Sequence, residues 1–101
     1  MKSLTIVIHA SAQQALADSL RAFETVQGFT FIHVEGHSNQ SENDPFLSAH
    51  DKVVGYVPRV RVDLLLADLD LATVLTTLLA EESFKGQGVY WVSPVEQMGR
   101  L

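Results

Sequence analysis

The chain has 101 residues, 47% of them apolar and 19% charged, which is enough for one small core and little else. A net charge of −5 argues against general affinity for nucleic acid or anionic membranes, which calls for a basic face. The complete lack of cysteine removes disulfides, thiolate metal sites and thiol catalysis, and fits a reducing compartment. No apolar stretch approaches the roughly 20 residues that span a bilayer, and the start lacks the pattern of a secretory leader. The expectation is one cytoplasmic domain covering residues 1–101.

In chain order, Leu4–Ile8 is a β-branched apolar run and reads as a buried strand. Ser11 with Gln14 has capping-box form and predicts a helix start. Ala12, Ala15, Leu16, Ser19, Leu20 and Phe23 then follow a 3.6-residue period, with Gly28 placed to end the turn. Residues 29–36 return to strand composition. Along them Phe29, Phe31, His33, Glu35 and His37 share one face, and Thr30, Ile32 and Val34 the other. In Val57–Ala67, the series Pro58, Val60, Val62, Leu64 and Leu66 alternates with Arg59, Arg61 and Asp63. Asp68 or Asp70 is placed to cap a second helix with the stripe Leu71, Val74, Leu75, Leu78 and Leu79. A Gly86-Gln87-Gly88 turn leads into a last strand over Val89–Val95.

The order is thus β-α-β-β-α-β. Right-handed crossovers place both helices on one face of a four-stranded antiparallel sheet, an α+β ferredoxin-like arrangement. Nothing in the chain covers the second face, and the two phenylalanines predict that a homo-oligomer does. Strands two and three form a hairpin that two to five residues could close. Residues 38–56 intervene instead, and a connection of that length is expected to be functional. Its polar first half predicts mobility. Glu42, Asp44, Phe46, Leu47, His50 and Asp51 are the residues it offers a partner protein.

Three stretches carry a resemblance. Gly55-Tyr56-Val57-Pro58-Arg59-Val60-Arg61-Val62-Asp63 is similar to the opening of the third strand in PII-like signal-transduction proteins. Gly86-Gln87-Gly88-Val89-Tyr90-Trp91-Val92-Ser93-Pro94-Val95-Glu96 resembles that family's Gly-Asp-Gly segment, and Val34-Glu35-Gly36-His37 resembles the entry to its long effector loop. The chain looks most like a short PII-like group of unknown function, related in fold to CutA-type proteins. The resemblance implies a homotrimer that binds ATP or ADP between subunits. It also implies regulation of a target, such as a transporter or metal-efflux system, through loop 38–56. On this sequence the implied ligand-binding residues are Gly36, His37, Lys85, Gly86, Gln87, Gly88 and Arg100. The pattern departs where the family carries lysine after Gly-Asp-Gly and this chain has Val89, so the ATP site reads as degenerate.

An alternative follows from the residues themselves. His33, Glu35 and His37 alternate along one strand face, and His50 lies in the loop that follows. Imidazole and carboxylate without thiolate suit a divalent transition metal such as zinc, nickel or copper. No nucleophile turn and no phosphate loop of the Gly-Lys-Ser/Thr type is present, so no enzymatic activity is expected.

Overall fold

The computed structural model describes residues 1–37 and 56–101. Strand β1 (Lys2–His9) leads through a 3-10 turn (Ala10–Ala12) into α1 (Gln13–Arg21). Strands β2 (Phe31–Gly36) and β3 (Val57–Leu66) follow, then α2 (Asp68–Ala80), a 3-10 turn (Glu82–Phe84) and β4 (Gly88–Pro94). The sheet order is β2-β3-β1-β4, with every pairing antiparallel. This is the expected β-α-β-β-α-β arrangement, compatible with the ferredoxin-like fold.

Pairing assigns the faces, because residues directly opposite in a ladder share a side. Leu4, Ile6 and Ile8 of β1 stand opposite Leu64, Val62 and Val60 of β3, and all six are buried. Leu16 and Leu20 of α1 and Val74 and Leu78 of α2 complete that core cluster. Burying each such side chain contributes about 1.5–3 kcal/mol, so these two central strands and two helix stripes hold the domain together. β4 is an edge strand, exposed along its whole length.

The structure corrects several local expectations. Ser11 does not cap α1. The His9 imidazole accepts a hydrogen bond from the Ser11 N–H at 3.0 Å, and the 3-10 turn takes up three residues before the helix begins. The helix also ends early, at Arg21, with Phe23 packing on the core from the turn that follows. Neither Asp68 nor Asp70 caps α2 through its side chain. Asp68 instead pairs with the terminal amine of Met1 at 3.2 Å.

The largest correction concerns the phenylalanines. Phe31 pairs with Val62, so it lies on the helix side, packed partly buried against the core together with Phe29. The two rings meet edge to face at 5.7 Å. The open face carries Ile32 and Val34 from this strand, opposite Arg61 and Arg59. Among the described residues an open face therefore exists, and its exposed large apolar residues are Ile32, Leu65, Val89 and Trp91.

Candidate functional site

The open face has a polar centre. Thr5 stands between Asp63 and Trp91 in the ladder and is only 3% exposed. Its hydroxyl donates to the Asp63 carboxylate, which also receives Arg61 Nε at 3.1 Å and Nη2 at 3.3 Å. The Arg61 guanidinium lies 5.6 Å from the centre of the Trp91 ring, a cation–π distance. Partial burial alone would push the Asp63 pKa up. The hydrogen bonds from Arg61 and Thr5, with the Arg61 charge, outweigh it and hold the carboxyl below its ordinary value. Arg61 and Asp63 thus form an ion pair along one strand and not across strands. Glu35 takes no part, because it pairs with Pro58 and lies toward the other face.

At one end of the sheet, where β1 and β2 finish and β3 and β4 begin, a groove of about 490 Å³ opens. Val7, Val57, Val89 and Trp91 give it apolar walls, and Glu35, His37 and Arg59 give it polar ones. The backbone of Gly36, Gly86 and Gly88 closes it. Gly36 and His37 on one side and Val57 on the other are the points from which residues 38–56 depart and return.

Two of these glycines are required. Gly86 has φ 73°, a conformation that other residues adopt with strain. A Cβ at Gly88 would overlap the carbonyl oxygen of Val7 and approach Ile8 Cα at 2.7 Å, so glycine is what lets β4 close against β1. At Gly36, a Cβ would overlap the Nε of Arg59. The Arg59 side chain runs across that bare backbone, and its Nη1 donates to the carbonyl of Gln87 at 3.1 Å. The same carbonyl accepts the N–H of His9 at 2.9 Å.

Of the ligand-binding residues implied by sequence, Gly36, His37, Gly86 and Gly88 come together in this groove. Gln87 contributes its carbonyl to the framework, and its N–H is committed to the carbonyl of Phe84 at 3.1 Å. Lys85 does not line the groove; its ammonium is held by Glu82 at 2.7 Å. Arg100 sits elsewhere, donating to the Gln27 side chain at 3.1 Å. Among the described residues, Arg59 is the cation that the groove does contain. Its signal was visible, since it is the first outward-facing cation of β3 after the long connection.

Among the metal candidates, His37 Nε2 and Glu35 Oε2 stand 3.3 Å apart, with the Tyr56 ring 6.3 Å from the imidazole. His33, opposite Val60, does not join them, and no cluster of three or more ligating side chains forms among the described residues. Glu42, Asp44, Phe46, Leu47, His50 and Asp51 lie outside the described residues. No described helix is long and apolar enough to cross a membrane.

Among solved structures, the chain is similar to the crystal structure of a DUF3240 family protein from Shewanella baltica OS155. The two share 20% sequence identity and a TM-score of 0.76, over 99% of this chain and 94% of that one. At that identity the likeness shows a common fold. The family model described as "Protein of unknown function (DUF3240)" matches residues 1–101, and the chain belongs to that family.

Proposed function

We propose that the protein is a PII-like regulatory module. On this reading a small effector occupies the groove at the sheet's end and sets how segment 38–56 engages a target protein. The observation that carries the proposal is the position of the groove. Its walls include Gly36 and His37, from which the segment leaves, and Val57, at which it re-enters the sheet. An occupant would therefore touch both roots of the segment, the Arg59 side chain and the 86–88 turn together. Binding that differs between two arrangements of those roots would shift their balance. The exposed Ile32 and Leu65 on the open face, which do not line the groove, support a homotrimer, and a cytoplasmic regulator of a membrane transporter is the setting the PII resemblance implies.

The test is limited proteolysis of the full chain with and without a panel of probes: ATP, ADP, and small carboxylates. Binding is scored separately by calorimetry. The expected result is that a probe which binds also changes the rate of cleavage within residues 38–55. Binding with no change in that cleavage, or no binding across the panel, overturns the reading. Light scattering checks the assembly, and a monomer at micromolar concentration overturns the trimer.

A further inference from the structure

The chain carries seven lysines and arginines, and their placement fixes what charge the groove can hold. Lys2 lies at the far end of β1, opposite Leu66 and Pro94. Arg21 pairs with Asp18 at 3.4 Å, Arg61 with Asp63 at 3.1 Å, and Lys85 with Glu82 at 2.7 Å. Arg100 is on Gln27, and Lys52 lies outside the described residues. Among the described residues, Arg59 remains as the one permanent cation that lines the groove, and no described carboxylate is ion-paired with it.

We propose that the groove is a one-arginine site for a singly charged carboxylate carrying an apolar body. This deepens the regulatory reading above and rests on the same groove. The arginine side has a fork of five N–H donors, one of which serves the Gln87 carbonyl. That leaves the planar arrangement that grips a carboxylate in bidentate fashion. The ligand's body has Val7, Val57, Val89 and Trp91 to rest on. The Trp91 indole is already fixed from one direction by Arg61, so it offers a preset surface and not a mobile one. A polyphosphate fits this lining badly. It calls for several cations, and among the described residues that line this groove Arg59 is the one permanent cation. The volume of about 490 Å³ lies in the range that holds a small organic ligand.

Trp91 is the only tryptophan in the chain and lines the site, so its fluorescence reports occupancy directly. The full chain is titrated at constant ionic strength with cyclohexanecarboxylate, acetate, the neutral cyclohexanecarboxamide, inorganic phosphate and ATP, with calorimetry alongside. The expected result is saturable binding of cyclohexanecarboxylate, at least tenfold weaker binding of acetate, and no saturable binding of the amide or of ATP. Arg59→Gln is expected to weaken cyclohexanecarboxylate at least tenfold. Gly36→Ala keeps the charge but displaces the arginine's stem, so it is expected to weaken binding several-fold while leaving the circular dichroism unchanged. It serves as the second variant should Arg59→Gln fold poorly. The proposal is overturned if the carboxylate does not saturate the signal, if both variants bind as the wild type does, or if ATP or phosphate binds more tightly. Tight ATP binding would overturn the charge class while leaving a regulatory groove standing. Carboxylate binding without any change in cleavage of 38–55 would do the reverse.

Discussion

Gly88→Ala should be among the most damaging single-methyl changes in this domain. The added Cβ would overlap the carbonyl oxygen of Val7 and stand 2.7 Å from Ile8 Cα. Both obstacles are backbone atoms of a buried central strand, so neither can swing aside as a side-chain tip would. β4 has to lift from β1 at its first residues, where Gly88 pairs with Ile8 and Val89 with Val7. Overpacking against a rigid neighbour costs about 1–3 kcal/mol, and one or two lost ladder bonds add about 1 kcal/mol each. The expected loss is therefore about 2–5 kcal/mol. In a domain of this size each kcal/mol lowers Tm by about 4–8 °C, so the transition should fall by about 10–40 °C. Urea denaturation and thermal unfolding, both followed by circular dichroism, measure it. Gly28→Ala is the internal control: nothing lies within 4 Å of its Cβ position, and the change should be neutral or stabilise by up to about 1 kcal/mol. Gly88→Ala within about 0.5 kcal/mol of wild type would refute the claim that this glycine exists for strand closure.

Leu16→Ala, at a site only 1% exposed, should cost about 2–5 kcal/mol. Leu69→Ala, at a site 86% exposed, should change stability by less than about 0.5 kcal/mol; equal effects in urea melts would contradict the assignment of the core. Thr5→Val removes the hydroxyl donor to Asp63 and keeps the shape. Because the Asp63 side chain is 41% exposed and can draw water, the loss should be about 1 kcal/mol or less. The depressed pKa of Asp63 gives a signed pH effect. Its folded value lies below its unfolded value of about 3.9, so its contribution is present above that pH and is lost as pH falls through the folded value. Asp63→Asn should therefore be destabilised at neutral pH and show a shallower loss of stability below about pH 4. An unchanged acid limb in urea midpoints measured from pH 7 to 2.5 would argue against it.

The architecture was legible because its two strongest periodicities are nearly undiluted. Val60, Val62, Leu64 and Leu66 alternate without a break and all are buried. α2 was predicted through Leu71, Val74, Leu75, Leu78 and Leu79, of which the first four touch the core and Leu79 is exposed. What failed was local and weak. The Ser11–Gln14 spacing met the capping-box pattern, but the histidine two residues earlier reached the Ser11 amide first, and a single cap at about 1 kcal/mol does not decide a helix start. The phenylalanine face failed for a different reason. In a strand with apolar residues on both sides, alternation says which residues share a face and not which face meets the helices. That is set by register with β3, a long-range fact that a single strand does not contain.

The candidate site repeats that lesson at higher resolution. Arg59 and Arg61 are the same residue type, two positions apart on one strand, so alternation puts them on one face and does not tell them apart. The structure gives them different partners. Asp63 is two residues beyond Arg61 and is held in place by Thr5 from the neighbouring strand, so it pairs with Arg61 and offsets its charge. Arg59 has Val57 two residues before it and the paired Arg61 two residues after it. Across the ladder it meets Val34 and His9, neither of them a carboxylate. Its stem finds bare backbone at Gly36 and its tip finds a carbonyl at Gln87. A guanidinium on a neutral acceptor keeps an uncompensated positive field, whereas one forked on a carboxylate has its field offset by the partner's charge. The two arginines therefore differ by a single carboxylate, which Asp63 supplies to Arg61 and no described residue supplies to Arg59.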